Sequence, residues 1–412
     1  MGEPVTIVGG GWAGLAAAVE LAAHGMPVRV LEAARRLGGR ARSIDWQGLT
    51  LDNGQHLMMG AYRQTLHLLR RLGSDHLLQR RRLRLDVPGL TLALPYLPAP
   101  LHLGVGFISA RGLTLAEKAA AVRLLWHLQR RHYRLPADVS VAELLGRLRQ
   151  PSRLIHRLWA PICVAALNTP IDQASAQVFC NVLRDTLAAR RAASDFLFAR
   201  ADLDRLLPGP AARFIHARGG EVRLNCPVRT VERTPQGFRL MGPDLVARRV
   251  IIATHPARLP ALLGGLPELA GVVGMVSRYR WQPILTTWLH FAAPLPLPYP
   301  MLALDGGAGP WVFDRSDLAP GLVSVVVSAE GPHLGLPAAH WQAQLLERLA
   351  RRLGRLPPLR AAKTIVEKRA TYACVPGLPR PDNCTPIPGL YLAGDYTAGD
   401  YPATLEGAVR SG

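Results

Sequence analysis

The chain opens on a short, mainly apolar run at residues 4–8 that ends in glycine, then changes period. Residues 12–24 carry apolar positions at helical spacing, and residues 28–31 run together again. A brief apolar run closed by glycine reads as a buried strand and a 3.6-residue period as a helix, so the opening predicts a β-α-β unit on a parallel sheet. Residues 114–134 read as one strong helix, with Thr114 as N-cap and Glu117 three residues on completing a capping box. Helical patterning continues to Ala193. From Gly219 short strand-like runs take over, at residues 219–225, 227–233, 237–240 and 249–254, which predicts a β-meander returning to the first sheet. A mixed region follows to about residue 373, with a strand at 322–328 and an amphipathic helix at 340–353. A last strand at 389–393 meets Gly394 and Asp395.

The chain thus leaves its first sheet twice and returns twice. The expected fold class is α/β: residues 1–80, 205–258 and 374–412 form a discontinuous Rossmann-like domain, and residues 81–204 and 259–373 form a mainly helical substrate domain with its own sheet. A length of 412 residues has room for this division. Hydrophobic residues at 49% and charged residues at 19%, with no repeat or low-complexity tract, exclude a disordered chain.

The formal charge of +20 is almost entirely arginine, the lysines being Lys118, Lys363 and Lys368. No nucleic-acid module and no basic run interleaved with aromatics accompanies it, so nucleic acid is not expected as a partner. An anionic membrane surface is the expected alternative. Five cysteines without a C-x-x-C pair argue against a disulfide framework and for a reducing compartment. The first strand begins at once, leaving no room for a leader, so a cytosolic protein is expected. The uncharged stretch 87–110 is long enough to cross a bilayer, but Pro88, Pro95, Pro98 and Pro100 break it. Flanked by Arg80, Arg81, Arg82, Arg84 and Arg111, it is expected either to form a lipid-facing mouth or to line a cavity or the core.

Gly9, Gly11 and Gly14 stand as G-x-G-x-x-G between strand and helix, with Trp12 and Ala13 inside the motif. The spacing permits a tight turn, close backbone approach to a pyrophosphate and close helix packing. Glu32, followed by Ala33, ends the second strand where a carboxylate accepts ribose hydroxyls. Alone, these residues say dinucleotide.

Leu37-Gly38-Gly39-Arg40-Ala41-Arg42 then resembles the second glycine motif of the amine oxidase and phytoene desaturase flavoproteins, which implies FAD as cofactor. Gly38 and Gly39 would offer backbone N–H groups to phosphate, and Arg40 and Arg42 charge-assisted contacts. The C-terminal segment resembles the family's final flavin motif. The resemblance implies that Gly394 and Asp395 meet the ribityl and pyrophosphate region and that Thr404, Gly407 and Ala408 open a last helix beside the flavin. In relatives that helix continues, so Gly412 reads as a truncated end. Val228 stands where relatives pin adenine through backbone groups, or is an ordinary strand valine.

Asp52-Asn53-Gly54-Gln55-His56, with the closing segment 402–412, resembles the hydroxysqualene dehydroxylases of hopanoid and squalene synthesis. This implies reduction of hydroxysqualene to squalene, with hydride from reduced FAD to an allylic cation, an unidentified flavin reductant, and a place in the bacterial cytoplasm peripheral to the inner face of the membrane. Asn53, Gly54 and Gln55 would pass over the flavin. Gln55 is either a ring contact or a loop anchor, and His56 either a proton donor or a structural histidine. A carotenoid-type desaturase, an amine oxidase and a non-catalytic flavin-bearing lipid binder remain as alternatives. No metal-ligand spacing and no Ser-His-acid set is present.

Overall fold

In the computed structural model, which describes residues 2–305 and 309–412, Val5–Val8 is buried at every position and lies at the centre of a five-stranded parallel sheet. Such double-sided burial is what a continuous apolar strand is suited to. Val8 pairs with Leu31 of Val28–Leu31 on one side and with Ile252 of Val250–Ile252 on the other. Glu221–Arg223 and Leu390–Leu392 form the two edges. One sheet therefore draws strands from three distant stretches of chain. The crossover helix Trp12–Ala23 is rich in alanine and glycine, which lets it pack tightly against Pro208–His216 and the C-terminal helix Leu405–Ser411.

The second sheet is antiparallel, in the order Met301–Ala303, Trp311–Asp314, Leu322–Ser328, Trp281–Phe291, Leu359–Tyr372. Side chains alternate across it because successive Cβ atoms point to opposite faces. Leu285, Leu289, Val312, Val323, Val325 and Val327 face the helix Ala338–Leu353 and bury Trp341, Leu345 and Leu349 beneath it. Ile284, Met301, Trp311, Phe313, Val326 and Ser328 face the other way, into a cavity.

Between the sheets lies a helical region. The capping box appears as read from the sequence: Thr114 Oγ1 accepts from the Glu117 N–H at 3.2 Å, and Glu117 Oε2 accepts from the Thr114 N–H at 2.7 Å. The helix, Leu115–Arg130, stops short of residue 134 because His132 and Tyr133 take left-handed φ angles of 51° and 59°. The hairpin Ser43–Trp46/Leu49–Asp52 escaped the sequence reading. Its turn, Gln47-Gly48, needs positive φ at both residues, and glutamine is a weak signal for that.

The stretch 87–110 is a strand and a helix, Leu90–Ala93 and Leu101–Ser109, and no described helix is long and apolar enough to cross a membrane. Nor is the stretch a continuous lipid-facing mouth. Val87, Leu90, Leu92 and Leu94 are core residues, while Tyr96, Leu101, Val105 and Ile108 are exposed. Among its flanking arginines, Arg80 pairs with Asp195 at 3.3 Å and Arg84 with Asp86 at 3.2 Å, so neither is a free surface charge.

The two faces of the second sheet should respond differently to truncation. Leu345→Ala leaves a void in a closed core and should cost about 2–5 kcal/mol, whereas Val326→Ala enlarges a cavity that already exists and should cost clearly less. Denaturant unfolding of the two variants checks the order.

Candidate active site

The glycine loop after the first strand is built from contacts that only glycine permits. Gly9 has φ +114°, and a Cβ on Gly14 would lie 2.0 Å from the Gly9 carbonyl oxygen. At Gly11 a Cβ would meet nothing closer than the Gly39 Cα at 3.9 Å. The second glycine loop folds directly onto the first: Gly38 N–H donates to the Gly10 carbonyl at 2.8 Å, and Gly11 and Gly38 form a parallel bridge. The helix beginning at Trp12 has no side-chain cap and no acid in its first turn. Its N-terminal N–H groups and positive dipole end are therefore free for an anion. Glu32 is held at the end of the second strand, its carboxylate accepting from Gly10 N–H at 2.7 Å and Ala34 N–H at 2.8 Å.

One cavity of about 550 Å³ is lined by Gly9, Gly11, Trp12, Ala13, Glu32, Ala33, Gly38, Gly39, Arg40, Arg42, Asn53, Gly54, Gln55, His56, Val228, Gly394, Asp395, Thr404 and Ala408. Of the cofactor residues read from the sequence, Gly14 and Gly407 alone lie outside its lining. Gly14 is a packing glycine against Gly9. Gly407 sits within the last helix and donates its N–H to the capping Thr404 Oγ1 at 3.0 Å, so the helix opens at Leu405 and Gly407 faces its own cap.

Within this cavity Arg40 and Asp395, 355 residues apart, form a pair at 2.5 Å, and Arg40 also donates to the Ala370 carbonyl at 3.0 Å. Burial opposes the Arg40 charge, and the neighbouring Asp395 more than restores it. Arg42 reaches the Gly39 carbonyl at 2.7 Å. Asn53 staples the second glycine loop, accepting from Arg42 N–H at 3.1 Å and donating to the Arg40 carbonyl at 2.9 Å. The carboxamide of Gln55 is committed as a loop anchor: its oxygen accepts from Arg315 at 2.8 Å and from Ser324 at 3.0 Å. Arg315, buried and 3.8 Å from the buried Asp52, carried no sequence signal. Desolvation pushes the Asp52 carboxyl up to about 6 against the pull of Arg315.

Sequence reasoning also missed His255, Arg258 and Thr371 in this lining. His255 had a usable signal, since it lies just past the carboxyl end of the strand Val250–Ile252, where open α/β sheets bind ligands. Glu406 was missed as well. Wholly buried, it accepts from the Gln64 and Thr65 N–H groups at 3.1 and 2.9 Å and so caps a helix, Arg63–Arg71, that lacks its own capping side chain.

A second, largely apolar cavity of about 290 Å³ abuts the first. The two share Gln55, His56, Ile284, Thr371 and Ala403, Thr404 and Leu405. His56 stands in this common wall. Its Nδ1 lies 3.0 Å from the Gly54 carbonyl, which can only accept, so Nδ1 carries the proton and Nε2 a lone pair. Burial lowers the ring to about 4, leaving it neutral at pH 7.

The free helix end, the fixed carboxylate of Glu32 and the glycine cradle fit an FAD, and an apolar chamber abuts the cavity that would hold it. That arrangement makes the molecule an FAD-dependent oxidoreductase. The chain belongs to the family described as flavin containing amine oxidoreductase, whose model matches residues 12–412. It is 30% identical to hydroxysqualene dehydroxylase from Rhodopseudomonas palustris over 439 residues, covering 100% of this chain and 97% of the relative. A similar match, 30% over 436 residues, joins it to hydroxysqualene dehydroxylase from Sinorhizobium fredii, again with 100% and 97% coverage. More distantly it is 27% identical to 15-cis-phytoene desaturase of an Oncidium hybrid cultivar, over 99% of this chain and 76% of the relative. Among solved structures, cyclohexylamine oxidase from Brevibacterium oxydans superposes with a TM-score of 0.71 at 18% identity, over 99% of this chain and 96% of that one. That likeness shows the fold.

Glu32→Ala and Asp395→Ala should each weaken FAD retention by at least about tenfold, the worth of one charge-assisted hydrogen bond, as read by flavin absorbance after gel filtration. Asp395→Ala should also destabilise the protein, because it strands Arg40.

Part of the pH dependence of stability follows from the half-buried imidazoles of His56 and His255. His56 and His255 are both lowered to about 4 from 6.5, so the stability they lend is complete above 6.5 and lost as the pH falls toward 4, where the unfolded chain takes up protons that the folded one refuses. Asp52, raised to about 6, works in the opposite sense. The unfolding midpoint in excess FAD should drop from pH 7 to pH 5, and the His56→Gln/His255→Gln double variant should flatten that drop.

Proposed function

We propose that the chain removes the hydroxyl of hydroxysqualene, a C30 allylic alcohol, to give squalene. The observation that carries this reading is the apolar chamber built from the second sheet and the central helices, which meets the cofactor cavity at one narrow wall. Relatives named hydroxysqualene dehydroxylase, aligned over the full chain, narrow the substrate. When bound, reduced FAD (FADH2) would supply the hydride that replaces the hydroxyl and the proton with which that hydroxyl leaves as water, ending as oxidised FAD.

The chain's own residues have three tasks. Met301, Trp311, Phe313, Val326 and Leu187 exclude water from the allylic carbon, where a cation would otherwise be trapped as alcohol. Polar groups in the chamber are few, and the Asp185–Tyr401 pair marks one part of its wall, with Tyr401 Oη donating to Asp185 at 2.8 Å. Arg184 holds the Asp185 carboxyl below its ordinary range, so the pair keeps its proton on tyrosine. At the common wall, His56 is uncharged at neutral pH and its one N–H, on Nδ1, is committed to the Gly54 carbonyl. Its Nε2 can accept a hydrogen bond from the carbinol and so orients the alcohol, a positioning role.

Anaerobic incubation of the dithionite-reduced holoprotein with hydroxysqualene, followed by product analysis, should yield squalene with one equivalent of flavin reoxidised per turnover. A more unsaturated product formed by the oxidised flavin would establish a desaturase, and no product would leave a flavin-bearing lipid binder. His56→Ala should keep its flavin and lose less than about tenfold in turnover. A proton donor at this position would cost about 100-fold or more.

A further inference from the structure

The helices Leu101–Ser109 and Leu115–Arg130 form a hairpin whose inner face supplies core residues, among them Phe107, Leu124 and Leu128. Its outer face is apolar as well. On the first helix Leu101, Val105 and Ile108 share one side at spacings of four and three residues, and Ile108 is 74% exposed. On the second, Leu115, Val122 and Trp126 form a stripe, with Leu115 at 84% and Trp126 at 55% exposure. Isolated exposed apolar side chains are ordinary, but six on two adjacent helices, with Tyr96 beside them, form a patch that calls for a covering surface. The hairpin is held as a unit by Lys118 Nζ, which donates to the Ile108 carbonyl at 2.6 Å.

The exposed charges carried by the hairpin itself are of one sign. Residues 87–137 contain a single acid, Glu117, which is buried in the capping box, against Arg111, Lys118, Arg123, Arg130, Arg131 and Arg134. Arg130 lies over the Trp126 ring at 4.7 Å, and Arg191 over Tyr96 at 4.7 Å. Aromatic rings carrying cations suit a layer where hydrocarbon gives way to charged headgroups. Arg191 also pairs with Asp195 at 3.0 Å, which fixes it over the Tyr96 ring.

We propose that this hairpin face docks the protein on an anionic bilayer, with Leu101, Val105, Ile108, Leu115, Val122 and Trp126 entering the acyl boundary and Arg111, Lys118, Arg123 and Arg130 meeting the headgroups. A second copy of the chain is a poorer occupant, because two such faces would bring like charges together. The docking deepens the proposed reaction by naming where a water-insoluble substrate is collected, and it rests on that reading only for its purpose.

Flotation of the holoprotein with vesicles tests it. Wild type should float with phosphatidylglycerol-containing vesicles, more weakly at high salt, and poorly with phosphatidylcholine alone. The triple variant Ile108→Ser/Val122→Ser/Trp126→Ser should bind at least about tenfold less, since each lost side chain removes apolar surface that would enter the acyl boundary. Arg123→Glu/Arg130→Glu should lose the preference for anionic lipid. Flavin absorbance and unfolding midpoint should stay at wild-type values in both, because the altered side chains are exposed. The proposal is overturned if wild type does not float, or if the triple variant floats equally well. It is overturned too if light scattering shows a wild-type dimer that the triple variant converts to monomer while neither floats. Flotation needs no substrate, so failure of the proposed reaction, read with detergent-dispersed alcohol, is scored separately.

Discussion

The contact between Gly14 and the Gly9 carbonyl governs the rest of the cofactor end. With no side chain between them, the first helix comes down onto the end of the first strand, and its uncapped N-terminus opens into the cavity. The second glycine loop can then hydrogen-bond to the first through Gly38 and Gly10, and this places Arg40 against Asp395 from the far end of the chain. The C-terminal helix follows, its Thr404 cap in the cavity wall and its Glu406 closing the start of Arg63–Arg71. A single atom added at Gly14 would disturb each of these in turn.

The second sheet answers a different constraint. Its inner strands carry apolar side chains on both faces, and the helix Ala338–Leu353 packs directly on one of them. The other is left lining a chamber, and a chamber of that character accepts a hydrocarbon far more readily than a polar amine. At its border with the cofactor cavity two polar side chains are tied down, Gln55 by Arg315 and Ser324 and His56 by Gly54, and elsewhere in the chamber wall Tyr401 is tied to Asp185. Under the proposed reaction, such a wall of fixed dipoles would orient a single hydroxyl and leave the rest of a long chain to apolar contact.

The exposed helical hairpin shows how far composition and structure diverge. The stretch 87–110 looks uniformly apolar in sequence, yet about a third of it is buried, and the apolar surface is completed by Leu115, Val122 and Trp126 from the next helix. In the sequence those three positions are spaced like any amphipathic stripe. Only the packing shows that Ala120, Leu124 and Leu128 are the buried stripe and that a second apolar stripe remains outside.

What the sequence determined by itself was local. Gly9, Gly11 and Glu32 announce a dinucleotide loop because the chemistry of a tight turn and a ribose-facing carboxylate is written within thirty residues. The capping box at Thr114 and the strand at Leu322–Ser328 were legible for the same reason, each depending on neighbours a few residues away. The tertiary structure decided what depends on distant partners. Asn53 and Gln55 prove to be anchors because Arg40, Arg315 and Ser324 arrive from elsewhere, and His56 is neutral because its packing in the wall between two cavities lowers its pKa. Burial, protonation and the meeting of two cavities are properties of space-filling neighbours, and no spacing along the chain encodes them.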